Sequence, residues 1–324
     1  MVEEILPNLY LIKIPLPGSP LGWLNSYVIK GPDRNLVIDT GLNRRECLEA
    51  MQAGLGEIEV DLKKTDFYIT HMHADHIGLA PILAKDTSTV YINRPDKEYM
   101  ENWIGWDAII GFAGLNGLSA KELQAALSNH PAYKYGIDVP AEASAVDEGD
   151  TFRYGGYCFQ AVATPGHTRG HTCLYEPEKK VLVSGDHILF DITPNITCWT
   201  EKGNPLKSYL ASLDKIYGMQ VDLVLPGHRG ALGNCRSRIT ELKEHHRSRL
   251  EEALSILKQG PKNAYEVASM MTWDIECDSW EAFPASQKYF ATAEAVAHLR
   301  YLEDSGQIFR ENKAGSIVFS ACDG

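Results

Sequence analysis

Nine consecutive residues, Thr70-His71-Met72-His73-Ala74-Asp75-His76-Ile77-Gly78, constrain this chain more than any other feature. Three imidazoles and one carboxylate fall within six positions, directly after an apolar β-type run and at the entry to a helical one. His71 and His73, two apart, can point the same way from an extended turn. Asp75 and His76 follow where the chain bends into the helix and can face an adjacent position. Imidazole and carboxylate together suit zinc, iron or manganese, with no thiolate needed. The competing reading is surface histidines on a loop, with Asp75 as a helix cap. It would place three of only eleven histidines in one short stretch for no chemical purpose.

Three further donors come later, each at the end of a β-run and beside a glycine. They are His167 in Thr164-Pro-Gly-His-Thr168, Asp186 in Ser184-Gly-Asp-His187, and His228 in Leu225-Pro-Gly-His228. Glycine lets the chain turn sharply, so that the next side chain points out from the sheet edge. Each signal is weak alone; in this order, with the first stretch, they describe a site. Two histidines adjoin it. His171 begins a β-run, which favours a supporting role over ligation. His187 could reach a substrate or cap the segment Ile188–Asp191. Cys173 and Cys198 read as small core residues.

Short β-type runs surround these donors: Leu9–Ile14, Ser26–Lys30, Leu36–Asp39, Asp66–Thr70 and Thr89–Ile92, then Phe152–Tyr154, Tyr157–Ala163, Thr172–Tyr175, Val181–Ser184 and Leu223–Leu225. Arg44–Leu55, His76–Ala84 and Leu206–Tyr217 read as helices. Such mixing implies layered α/β architecture with helices covering sheets. Residues 94–140 are too long for a plain connection, carry the capping-box pattern Ser119-Ala-Lys-Glu122, and are rich in Trp and Tyr. They suit a helical insertion that walls a pocket. After Gly233 come a long charged helix (Arg236–Lys258), helices over Asn263–Met271 and Ala291–Ser305, and two β-runs (Gln307–Arg310, Ser316–Ser320) joined by a turn at Asn312–Gly315. That order resembles a winged helix, but Tyr265–Met271 carries only Glu266 as a charge, which is poor for reading DNA.

Charge narrows the partners. With 31 basic and 43 acidic residues the chain carries −12, which argues against nonspecific nucleic-acid binding. No stretch approaches the ~18 apolar residues of a membrane span. The N-terminus begins with two glutamates and is broken by prolines, so no targeting signal is expected. Seven scattered cysteines with no C-x-x-C pair favour reduced thiols and a cytoplasmic location.

The donor stretches, with Asp39-Thr40-Gly41 ahead of them, resemble the metallo-β-lactamase superfamily of hydrolases over roughly residues 1–232. The resemblance implies an α/β fold, an αββα four-layer sandwich with a two-metal site along one edge, followed by a smaller, mainly helical C-terminal domain over 233–324. It implies that His71, His73 and His167 hold one divalent ion, that Asp75, His76 and His228 hold a second, and that Asp186 bridges. Asp39 would orient a ligand histidine by accepting its other ring N–H. Zinc is the first expectation for both ions, with iron and manganese compatible. A metal-bridging hydroxide would then attack a carbonyl carbon or phosphorus, with Asp75 as catalytic residue as well as ligand. Aspartate rather than cysteine at 186 points to the thioesterase, lactonase and phosphodiesterase side of the family. The expectation is therefore hydrolysis of a small ester, thioester or lactone, in a chain compatible with a homodimer. A phosphodiesterase or nuclease on the same site, and a metal-stabilised sensor or DNA-binding protein, are the alternatives.

Overall fold

The computed structural model describes residues 2–128, 130–135, 143–230, 233–275, 277–313 and 315–322. One sheet runs in sequence order through β1 (Val2–Leu6), β2 (Leu9–Pro15), β3 (Trp23–Ile29), β4 (Asn35–Ile38), β5 (Thr65–Ile69), β6 (Val90–Asn93) and β7 (Ser144–Val146). Its first four strands pair antiparallel, and β4 to β7 pair parallel. A second sheet has the order β12-β11-β10-β9-β8, built from β8 (Thr151–Tyr154), β9 (Tyr157–Ala163), β10 (Thr172–Glu176), β11 (Val181–Gly185) and β12 (Leu223–Pro226). Two edge strands escape the sequence reading. β1 carries Glu3 and Glu4 and is half exposed, and β7 has only three residues. Neither gives the apolar run that marks a central strand.

Alternation along the strands builds the layers. On β2, Leu9 and Leu11 face the second sheet, where they join Tyr27, Ile38 and Tyr68 against Phe152, Phe159, Leu174 and Leu225. Ile12 and Ile14, one residue out of phase, are buried on the opposite face. There the helix Arg45–Glu57 approaches so closely that a side chain at Gly54 would meet Ile12. β5 and β10 are buried along their whole length, so they need no polar face. Burying each large side chain between the sheets stabilises the fold by about 1.5–3 kcal/mol. That inter-sheet layer, rather than the loops, keeps the strand ends in place. The result is the expected mixed α/β sandwich.

Strand direction decides where a site can form. β4 and β5 are parallel, as are β11 and β12, and β9 shares the direction of β11 because both are antiparallel to β10. Residues that follow β4, β5, β9, β11 and β12 therefore emerge at the C-terminal ends of strands. All the candidate donors follow these strands.

Packing divides the chain into two compact units, Met1–Trp103, Tyr135–Pro194 and Ser212–Ile239 in one, and Ile104–Lys134, Asn195–Ala211 and Thr240–Gly324 in the other. A single cut after residue 232 does not describe this division; residues 136–140 and 231–232 themselves lie outside the described residues. Most of the 94–140 insertion belongs with the C-terminal segment for an apolar reason. Ile109, Ala113, Leu118, Leu123 and Ala126 cluster with Tyr289 of the long helix Ala285–Asp304. The capping box at Ser119 and Glu122 forms, and Asn263 with Glu266 forms another at the helix Ala264–Met270. Strands β13 (Ile308–Lys313) and β14 (Ser316–Ala321) pair as an antiparallel hairpin, with Ala314 of the expected turn outside the described residues. Among the described residues, no helix is long and apolar enough to cross a membrane.

Candidate metal centre

β5 ends at Ile69, and the chain leaves the sheet through Thr70, His71, Met72 and His73 before a short helical turn, Ala74–Ile77. The helix expected over 76–84 is interrupted, and a second turn spans Ala80–Leu83. Pro81 explains the break, since it has no N–H to bond the carbonyl four residues earlier. The interruption confines Asp75 and His76 to one turn at the sheet edge. His167 follows β9, Asp186 follows β11 and His228 follows β12.

These residues converge into three groups whose donor atoms lie within 4.8 Å of one another: His71, His73 and His167; His71, His76 and Asp186; Asp75, His76 and His228. His73 Nδ1 lies 3.0 Å from His71 Nε2 and 2.9 Å from His167 Nε2. His228 Nε2 lies 3.3 Å from His76 Nε2 and 3.4 Å from Asp75 Oδ2. Asp186 faces both sets: Oδ1 is 3.6 Å from His76 Nε2 and 3.5 Å from His228 Nε2, and Oδ2 is 3.5 Å from His167 Nε2. Ligands about 2.0–2.1 Å from a tetrahedral ion stand about 3.3 Å apart, so the donor set fits such an ion.

Hydrogen bonds behind the rings decide which nitrogens face inward. His76 Nδ1 lies 2.7 Å from Asp39 Oδ2, and His228 Nδ1 lies 2.9 Å from the carbonyl of Trp23. Each partner accepts only, so both rings carry a proton on Nδ1 and turn Nε2 toward the centre. His71 is held less directly. Thr70 Oγ1 donates to Asp39 Oδ2 at 2.8 Å, which leaves that hydroxyl to accept from His71 Nδ1 at 3.1 Å. Asp39 also accepts from Thr70 N at 2.9 Å. Its backbone lies in the left-handed region at φ 57°, which aspartate tolerates better than most residues.

Burial and neighbouring charge divide these four imidazoles into two sets. Burial holds His71 well below the ordinary imidazole range and His73 at about 3, with neighbouring imidazoles adding to the effect. Burial opposes charge on His76 and His228 too. There the carboxylates win: Asp39, Asp186 and Asp75 lift His76 well above its ordinary value, and Asp186 and Asp75 lift His228 to about 10. Asp75 and Asp186 move the other way. Burial would raise them, but His76 and His228 carry both below the usual carboxylate range. The site draws positive charge to one place.

The remaining sequence candidates lie behind the donors. His171 is fully buried, accepts from Asp186 N at 3.1 Å, and shares a 2.8 Å contact with Thr164 Oγ1. It braces the Asp186 loop. His187 is also fully buried, its ring 6.0 Å from that of His171. Cys173 and Cys198 are buried thiols, in contact with Thr164 Oγ1 and with the carbonyl of Thr200. Sequence reading missed Asp96, a fully buried carboxylate that bonds the backbone of both histidine loops. Its one visible signal is an acidic residue just past the end of β6, at the same edge as the donors.

Gly227 has a steric reason to be glycine. A methyl there would lie 2.5 Å from Asp186 Oδ1 and 3.1 Å from His76 Cε1. Gly227→Ala should therefore displace the Asp186 carboxylate and weaken metal retention about 10-fold or more. Metal content after gel filtration measures this directly; wild-type content in the variant would show that the loop accommodates the methyl.

Comparison with known proteins gives the geometry a family. The model described as "Metallo-beta-lactamase superfamily" matches residues 24–228, and that described as "Metallo-beta-lactamase-like, C-terminal domain" matches 250–322. The chain is similar to the "Probable metallo-hydrolase YqjP" of Bacillus subtilis (strain 168), 23% identical over 95% of this chain and 96% of that one. It is also 25% identical to the "Atrochrysone carboxyl ACP thioesterase" of Aspergillus fumigatus, over 79% of this chain and 67% of the relative. Among solved structures, a metallo-beta-lactamase family protein from Thermus thermophilus superposes with a TM-score of 0.83 at 27% identity, covering 98% of this chain and 100% of that one. A Beta-lactamase domain protein from Burkholderia ambifaria gives 0.87 at 26% identity, covering 99% and 94%. The matched stretch contains every histidine and aspartate of the centre, and the chain belongs to the metallo-beta-lactamase superfamily.

Proposed function

We propose that this metallo-hydrolase is a dinuclear enzyme that cleaves a small ester, thioester or lactone. The observation that carries the proposal is Asp186, whose two oxygens face different histidine groups. His71, His73 and His167 would hold one ion, Asp75, His76 and His228 the other, and Asp186 both. Charge supports two ions rather than one. Asp39, Asp75 and Asp186 bring three negative charges into a site otherwise made of imidazoles, and two divalent cations offset them.

When bound, two such ions supply Lewis acidity toward a carbonyl oxygen and make a water nucleophile available near neutral pH. The chain supplies position and proton handling. Asp39, Thr70 and the Trp23 carbonyl hold three imidazoles with Nε2 inward. Asp75 is the more solvent-accessible of the two site carboxylates, 19% exposed in its side chain against 9% for Asp186. Its Oδ2 faces His228, and we assign its other oxygen to accept a hydrogen bond from an incoming water. Nearby Ser184 donates to the carbonyl of Ile188, which commits that hydroxyl to structure rather than to attack. The name of the Aspergillus fumigatus relative supports thioesters within the substrate class. Zinc is the metal we expect from the mixed nitrogen and oxygen donors.

Purified protein loaded with zinc, manganese or iron in parallel should hold about two equivalents and hydrolyse members of a thioester, lactone and ester panel. Cleavage of a model phosphodiester with no turnover of any carbonyl substrate would replace this reading with the phosphodiesterase one.

A further inference from the structure

Asp96 lies in the first turn of the helix Arg94–Glu101, 0% exposed, and belongs to none of the donor groups. Its carboxylate accepts three hydrogen bonds. Met72 N reaches Oδ2 at 3.0 Å, Thr168 Oγ1 reaches Oδ2 at 2.7 Å, and Gly170 N reaches Oδ1 at 2.7 Å. Met72 is the residue between His71 and His73, and Thr168 follows His167. One carboxylate thus joins, from behind, the two loops that carry His71, His73 and His167. Gly170 permits the closure, since a side chain there would begin 2.5 Å from Asp96 N and 2.7 Å from its carboxyl carbon. Asn93, three residues earlier, adds a parallel link through a 2.6 Å bond from Nδ2 to Thr172 Oγ1. The other set is braced elsewhere, His76 by Asp39 and His228 by the Trp23 carbonyl.

We propose that Asp96 is a positioning residue for one metal position only: it sets the spacing of His71 and His73 against His167, and so the affinity for the ion they hold. The inference rests on the dinuclear reading above. Its chemistry is specific to a carboxylate. All three partners can donate, and the two backbone N–H groups can do nothing else. An amide at 96 has one accepting oxygen and an NH₂ that must face a donor. The clash should pull the loops apart without changing the shape of the side chain.

The test is a metal titration of chelator-stripped protein, with zinc against a competing chelator and with cobalt followed by its visible absorption. Wild type, Asp96→Asn and Thr168→Val are compared, and circular dichroism melts of each stripped protein report folding. Wild type should take up two equivalents. Asp96→Asn should bind one with unchanged affinity and the other about 10–100-fold more weakly. Thr168→Val, which removes one of the three bonds and keeps the volume, should weaken the same equivalent by less. If Asp96→Asn does not fold, selective weakening in Thr168→Val carries the proposal and its absence overturns it. Two wild-type affinities in both variants, or equal weakening of both equivalents, would also overturn it. A wild-type curve that stops short of two equivalents overturns the dinuclear reading itself, which the variants play no part in deciding.

Discussion

Asp186→Ala should remove essentially all hydrolytic activity, a fall of about three orders of magnitude or more, equivalent to ~4 kcal/mol or more of barrier. The size follows from the double contact. Its oxygens stand 3.5–3.6 Å from His167, His76 and His228 at once, so one carboxylate faces donors of both proposed ion positions. Loss of the carboxylate removes a ligand from both proposed ions and one of the charges that hold them. The loop should survive, because backbone atoms hold it. Asp186 N donates to His171 Nε2, and Gly227 N donates to the Gly185 carbonyl at 2.8 Å. The variant should therefore fold, melt as a single transition and hold fewer than two metal equivalents. Near-wild-type turnover with full metal content would remove Asp186 from the mechanism.

The donors were legible in the sequence for chemical reasons. Histidine and aspartate at strand ends, with glycine or proline beside them, have few structural uses that would place all of them in one chain in that order. The strands that carry them were legible too, because β5, β9, β11 and β12 are apolar runs with abrupt polar ends. What stayed hidden depends on distance in the chain. Asp96 acts on backbone groups 24 and 74 residues away and on a hydroxyl 72 away, and no local pattern records such partners. The tautomer of His228 is set by a carbonyl 205 residues away, an acceptor that every residue possesses. The break in the helix after Ile77 was readable in principle from Pro81. The apolar period over 76–84 outweighed it. The pairing of the 104–134 segment with the C-terminal helices was not readable at all, because apolar helix faces at Ile109 and Leu123 do not name the surface they will meet.

The second large effect is expected at Asp39, and it separates stability from metal binding. Asp39→Ala leaves three buried donors without their acceptor: Thr70 N, Thr70 Oγ1 and His76 Nδ1. Each stranded donor costs about 1–3 kcal/mol, and alanine also gives up the tolerance that aspartate has for a positive φ. The stripped variant should lose roughly 3 kcal/mol or more in denaturant titration, a large part of the 5–15 kcal/mol typical of a folded protein. Asp39→Asn acts differently. Asparagine tolerates the same backbone conformation, and its oxygen can still accept from Thr70 N. Its NH₂ then faces both Thr70 Oγ1 and His76 Nδ1; the hydroxyl can turn to accept, and the ring relieves its clash by moving its proton to Nε2. That proton occupies the lone pair directed at Asp75, Asp186 and His228, so the ring can no longer bind an ion without losing it. Asp39→Asn should melt close to wild type and yet hold the His76-bound ion about 10–100-fold more weakly. Nitrogen NMR of the labelled imidazole reports the tautomer independently of activity. A His76 ring that kept its proton on Nδ1 in Asp39→Asn, with metal affinity intact, would show that Asp39 supports the fold alone.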